Sequence, residues 1–170
     1  IVEIDGHNVG INTAHPNRIV AEAIEAGEIP ELRGYDFLKR EVKYGKNSRI
    51  DIYLEGNGRP PCYVEVKNVT MKRNRGPDGI AEFPDAVTLR GAKHLVELSD
   101  MVGDGHRAIM FYLVQRGDCR SFKIAGDIDP NYETGLAKAT KAGVEILCYQ
   151  CEVSPEEIKV SRPLPMDLPS

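Results

Sequence analysis

The residue types and spacings able to carry chemistry sit in one stretch, SRIDIYLEGNGRPPCYVEVKNVT, Ser48 to Thr70. Asp51 lies before a Gly/Pro-rich connection and the triplet Glu65-Val66-Lys67 lies after it. Both flanking runs alternate polar and apolar residues, which predicts two antiparallel strands. With Asp51 opposite Glu65, Tyr53 faces Tyr63 and Arg49 faces Lys67. On the other face Ile50, Ile52 and Leu54 meet Val66, Val64 and Cys62. A one-residue slip mixes the two faces, so the pattern favours this register or its two-residue neighbour. Opposed carboxylates with β-carbons ~5 Å apart destabilise a sheet unless something offsets them. A divalent cation does so, since Mg²⁺ takes one or two carboxylates and completes its shell with water and phosphate oxygens. Lys67, one strand repeat beyond Glu65, is placed to assist a water and to counter charge growing on a phosphate. That is the chemistry of phosphodiester hydrolysis. The alternative is a hydrated hairpin face on which Arg49 and Lys67 balance the two acids.

Positioning this hairpin falls to the elements around it. NTAHPNRIVAEAIEAGEI predicts a helix capped by Asn12 or Thr13, with Pro16 in its first turn and Gly27 ending it. REVKYG, SRIDIYLEG and CYVEVKNVT read as three strands, and Lys72 to Glu82 as a polar loop. A helix follows from about Asp85 to Val102. RAIMFYLVQR is apolar at consecutive positions, as suits a strand covered on both faces. A short helix over Pro130–Ala142 and the strands VEILCYQCEV and EIKVSR complete the chain. A hairpin series followed by strand-helix-strand crossovers predicts an α/β fold, a mixed sheet with helices on both faces.

Composition narrows the setting. The 170 residues fit one domain, and the net charge of −4 argues against coating nucleic acid by bulk electrostatics. Any such contact must be local, and Lys72, Arg73 and Arg75 in the polar loop, with Arg90 and Lys93 opening the second helix, are the candidate phosphate contacts. The alternatives are a solvated loop and an i,i+4 pairing of Lys93 with Glu97. The C-x-x-C of Cys148 and Cys151 falls in a strand, where residues three apart point to opposite faces, so packed thiols are expected. The longest apolar run, Ala108 to Val114, is too short to span a bilayer, and no signal peptide opens the chain. A cytoplasmic protein with no membrane partner is the expectation.

GINTAHPNRIV, EVKYGKNSRIDIYLE, CYVEVKNVT, FPDAVTLRGAKHLVEL, IDPNY and GVEILCY together closely resemble the sugar fermentation stimulation protein A (SfsA) family, over about Val9 to Leu168. An Asp followed by Glu-x-Lys on the next strand resembles the PD-(D/E)xK nuclease superfamily. The resemblance implies a three-layer restriction-endonuclease-like core over residues 13–170. It also implies that residues 1–12 end a preceding OB-like domain, or form a linking hairpin. It makes Asp51, Glu65 and Lys67 the counterparts of the catalytic acids and lysine, with Asp51, Glu65, Val66 and the first-helix acid Glu22 as metal-site residues for Mg²⁺ or Mn²⁺. The literal Pro84-Asp85 is not the motif's aspartate, because it follows the Glu-x-Lys strand. DNA is the implied partner and oligomeric state is left open. Family members are described mainly as DNA-binding proteins affecting sugar use. Two functions are therefore implied, a metal-dependent nuclease and a non-cleaving DNA-binding regulator of sugar (maltose-type) metabolism genes.

Overall fold

In the computed structural model the described residues are 1–11, 15–74 and 78–170. A hairpin of β1 (Val2–Ile4) and β2 (His7–Val9) leads into α1 (Pro16–Glu25), and a 3-10 turn at Pro30–Leu32 precedes β3 (Phe37–Tyr44). Then come β4 (Ser48–Gly56), β5 (Arg59–Val69), β6 (Gly79–Phe83), α2 (Leu89–Gly103), β7 (Arg107–Val114) and β8 (Cys119–Ile124). The chain continues through α3 (Pro130–Ala142), β9 (Glu145–Val153), β10 (Ile158–Pro163) and β11 (Met166–Asp167). The main sheet runs β10-β9-β7-β5-β4-β3, parallel where β5, β7 and β9 adjoin and antiparallel at both edges. It is the mixed, helix-flanked α/β sheet expected. No helix among the described residues is long and apolar enough to cross a membrane.

Strand β7 divides the core cleanly. Ala108, Met110, Tyr112 and Val114 join Leu95 and Leu98 of α2 and Tyr132 and Leu136 of α3 on one face. Ile109, Phe111 and Leu113 join Ile19, Val20 and Ala23 of α1 on the other. Burial on both sides explains why β7 is apolar at consecutive positions. Cys148 and Cys151 fall in opposite cores as their spacing implied, both reduced and buried. Burial pushes the Cys151 thiol up to about 12, so it stays neutral.

Two expectations are corrected. The stretch 79–82, read as the end of a loop, lies in β6, which pairs with β8 in a second sheet ordered β11-β8-β6. These strands are short and their partners lie far along the chain, so no local periodicity marks them. The expected cap at Asn12 or Thr13 lies outside the described residues, and His15 immediately precedes α1 without a side-chain cap bond.

The second correction concerns the hairpin's faces. Ile52↔Val64, Tyr53↔Tyr63 and Leu54↔Cys62 pair as expected. Ile52 and Leu54 pack on the α1 side, however, whereas Ile50 packs on the α2 side. Neighbouring β3 changes face at the same level, with Leu38 on the α1 side and Val42 and Tyr44 on the α2 side. Between them stands Glu41 at φ 56, in the gap of the β3–β4 ladder between Arg40↔Ile52 and Val42↔Ile50. A left-handed glutamate inside a strand costs ~1 kcal/mol or more and is kept where the turnover of faces is needed. Glu41→Gly should therefore raise the melting temperature by about 2–4 °C, read by circular dichroism.

Candidate functional site

The face switch sets Asp51 at the meeting of α1, β4 and β5. Its Oδ1 accepts from Nδ2 of Asn17, in the first turn of α1, at 2.8 Å. Its Oδ2 accepts the backbone N–H of Val66 at 2.8 Å. That N–H faces β4 just where the regular ladder stops at Ile52↔Val64, so the carboxylate substitutes for a strand partner. The side chain is thereby fixed from both sides.

Glu65 is 3% exposed and projects from β5 toward α2. Its Oε1 lies 2.9 Å from the Lys67 ammonium and 2.6 Å from Nδ1 of His94. Lys67 Nζ and His94 Nδ1 are themselves 3.0 Å apart. A lysine ammonium only donates. The shorter contact therefore assigns the proton on Nδ1 to a bond into Glu65, and the two nitrogens are close because both donate to one oxygen. Glu65 Oε2 is buried with no hydrogen-bond partner among the described residues.

The two acids are pushed apart in acidity. Burial raises Asp51 and the charge of Glu65 adds to it, so Asp51 titrates at about 6 even with Val66, Asn17 and Lys67 opposing. Glu65 is penalised by burial too, but bonds from His94 and Lys67 outweigh it and hold its carboxyl below the ordinary value. Any proton the pair retains sits on Asp51.

The fit of a divalent cation can be judged from these donors. Among the described residues no group of three or more His, Cys, Asp or Glu side chains is placed to hold a metal ion. What the site offers is two carboxylates, one with an orphaned buried oxygen, which suits a hard cation that keeps several waters and does not suit zinc.

The other expected site residues are placed as follows. Val66 sits at the site through its backbone N–H, while its side chain packs in the α1-side core. Glu22 is not brought there: it is exposed on α1 and pairs with Arg18 at 3.6 Å. Lys72, only 5% exposed at its side chain, is paired with Asp118 at 2.8 Å. Arg73 forks onto Glu82 and Asp127, with Nε 2.9 Å from Glu82 and Nη2 2.8 Å from Asp127. These two candidate phosphate contacts are thus engaged within the protein, where they tie the loop to Asp118, Glu82 and Asp127. Arg75 lies outside the described residues. Arg90 is exposed at the start of α2, and Lys93 takes the i,i+4 alternative, 3.5 Å from Glu97.

Arg73→Ala leaves Glu82, 3% exposed, with only Lys123 at 3.5 Å as a cationic partner among the described residues. We expect a melting temperature lower by ~5 °C, measured by thermal melts.

His94 and Asn17 are the residues sequence reasoning missed. His94 stands beside Leu95 on the buried face of α2, and a polar residue on an apolar helical stripe was the available signal. Asn17 offered none.

Comparisons with known proteins bear on the family and the fold. The family model described as "Sugar fermentation stimulation protein RE domain" (SfsA) matches residues 14–157. A sugar fermentation stimulation protein homolog of Paramagnetospirillum magneticum is 60% identical over 168 residues, covering 99% of this chain and 70% of that protein. One from Rhodospirillum centenum is 60% identical over 164 residues, 96% of this chain and 69% of the relative. Among solved structures, Pyrococcus furiosus SfsA in complex with Ca²⁺ superposes with TM-score 0.86 at 29% identity, covering 98% of this chain and 70% of that one.

Proposed function

This chain belongs to the sugar fermentation stimulation protein (SfsA) family, and we propose that it is a PD-(D/E)xK-type domain that binds DNA and hydrolyses phosphodiester bonds with a hard divalent cation. The observation that carries the proposal is the buried, unpartnered Oε2 of Glu65 on the carboxylate that Lys67 and His94 hold ionised. Asp51 and Glu65 would hold the cation. The Ca²⁺ complex of the Pyrococcus furiosus relative supports a hard-ion site, because Ca²⁺ and Mg²⁺ both take oxygen ligands. When bound, such a cation polarises a phosphoryl oxygen and makes a bound water more acidic.

The chain's own residues do the rest. Lys67 sets a positive charge beside the acids, where charge grows on a phosphate oxygen in the transition state. His94, 4% exposed, fixes Glu65 from α2 and leaves Oε2 free. Asn17 and the Val66 N–H hold the Asp51 carboxyl in one orientation.

One feature favours the second reading, a regulator that binds DNA without cutting it. Lys67 is already committed to Glu65 Oε1 and must be released before it assists a water. A cleavage assay on duplex and single-stranded DNA with EDTA, Mg²⁺ or Mn²⁺ tests the proposal. Cation-dependent products are expected; intact substrate in every condition, alongside measurable binding, favours the regulator.

A further inference from the structure

Residues 39–49, KREVKYGKNSR, carry Lys39, Arg40, Lys43, Lys46 and Arg49 against the single acid Glu41, in a chain whose net charge is −4. This segment is β3, the edge strand of the main sheet, and its turn into β4. Lys43 and Arg49 stand directly opposite each other in the β3–β4 ladder. Like charges so placed destabilise a sheet. Neither makes an ion pair among the described residues, in contrast to Lys72, Arg73, Arg107 and Arg116, all of which do. A repulsive, exposed, uncompensated pair is expected where the missing anion belongs to a ligand.

The turn is also shaped and braced. Lys43, Tyr44, Gly45, Asn47, Ser48 and Arg49 wall a concavity of about 370 Å³. Gly45 and Asn47 both have positive φ, 56° and 62°. Ser48 Oγ donates to Glu97 Oε1 of α2 at 2.7 Å, and a Cβ on Gly45 would lie 3.3 Å from Cδ of the same glutamate. Lys93, one turn earlier on α2, reaches the Lys46 carbonyl at 3.4 Å and brings a third ammonium to the turn. Bracing against α2 fixes the cations before any ligand arrives, which lowers the ordering cost of binding. Arg49 is two residues from Asp51, about 7 Å along the strand.

We propose that the β3–β4 turn is a seat for a DNA backbone phosphate, held by Lys43 and Arg49, on the strand that carries Asp51. This rests on the reading of the acid site as acting on DNA, and it moves the phosphate-binding surface away from the loop at Lys72 and Arg73. The alternation of β3 after Glu41 turns Lys43 and Arg49 away from the α2-side core that takes Val42, Tyr44 and Ile50.

The test is the salt dependence of binding to a fluorescein-labelled DNA duplex in EDTA, by anisotropy, for wild type, Lys43→Ala/Arg49→Ala, and a control, Lys138→Ala/Lys141→Ala, that removes the same charge from α3. The slope of log K against log salt should shrink by about 2 in the turn variant and stay unchanged in the control. The turn variant should melt at or above the wild-type temperature, because repulsion is relieved; that melt also certifies its fold. Equal slopes for turn variant and control overturn the inference while leaving the cleavage assay to judge the acid site. A reduced slope in a protein that never cleaves upholds the seat and removes the nuclease reading. A wild type that binds no duplex at low salt defeats both.

Discussion

Lys67→Ala is expected to lower cation-dependent cleavage of DNA by ~10²–10⁴-fold, the range typical of losing a group that assists proton transfer or stabilises charge in the transition state. Cation affinity should hold or rise, because the substitution removes a positive charge 2.9 Å from Glu65 Oε1. His94 still donates to that oxygen, so Glu65 is not stranded as a bare buried charge. The combination separates this account from a merely structural lysine, whose loss would weaken cation binding and activity together through misplacement of Glu65. Single-turnover cleavage and cation titration on one preparation check it.

The second large effect lies in stability. Asp51 titrates at about 6 in the folded chain, raised by burial and by Glu65, against ~4 when unfolded. Folding therefore favours the protonated form. The stability this contributes is fully present below the unfolded value and is lost as pH rises through about 6, amounting to ~3 kcal/mol by pH 7.5 in the cation-free chain. Asp51→Asn carries no such charge. Its amide still accepts the Val66 N–H, and Asn17 can turn its own amide to accept from the new one, so both contacts survive. In EDTA at pH 7.5 the variant should melt about 6–12 °C above wild type, and the difference should vanish toward pH 4. A variant less stable than wild type at both pH values would show that Asp51 is an ordinary structural charge.

How much of this was legible in the sequence depends on the range over which each feature is decided. The Tyr53↔Tyr63 register was readable because strand alternation is local and both runs obey it. So was the buried β7, whose apolar residues serve two cores. The change of face at Asp51 was not, because it depends on Glu41 adopting φ 56, a conformation that glutamate does not advertise. His94 reaches Glu65 only after α2 docks on the sheet, across 27 residues from Lys67 in the chain. Lys72 and Arg73 looked free for the same reason, since Asp118 and Asp127 that hold them lie far along the sequence. The cations on the β3–β4 turn were in plain view, but their charge was read strand by strand. Only the pairing of Lys43 with Arg49 reveals the repulsion.

The central claim is that Asp51 and Glu65 form one hard-cation site. Calorimetric titration of Mn²⁺ into the wild-type chain and into Asp51→Asn at pH 6 and pH 7.5 tests it most directly. The account predicts a single wild-type site, with proton release greater at pH 6 because Asp51 is then about half protonated, and loss of most of that binding in the variant. Absence of saturable Mn²⁺ binding to the wild type at both pH values, or equal binding by the Asp51→Asn variant, would contradict it.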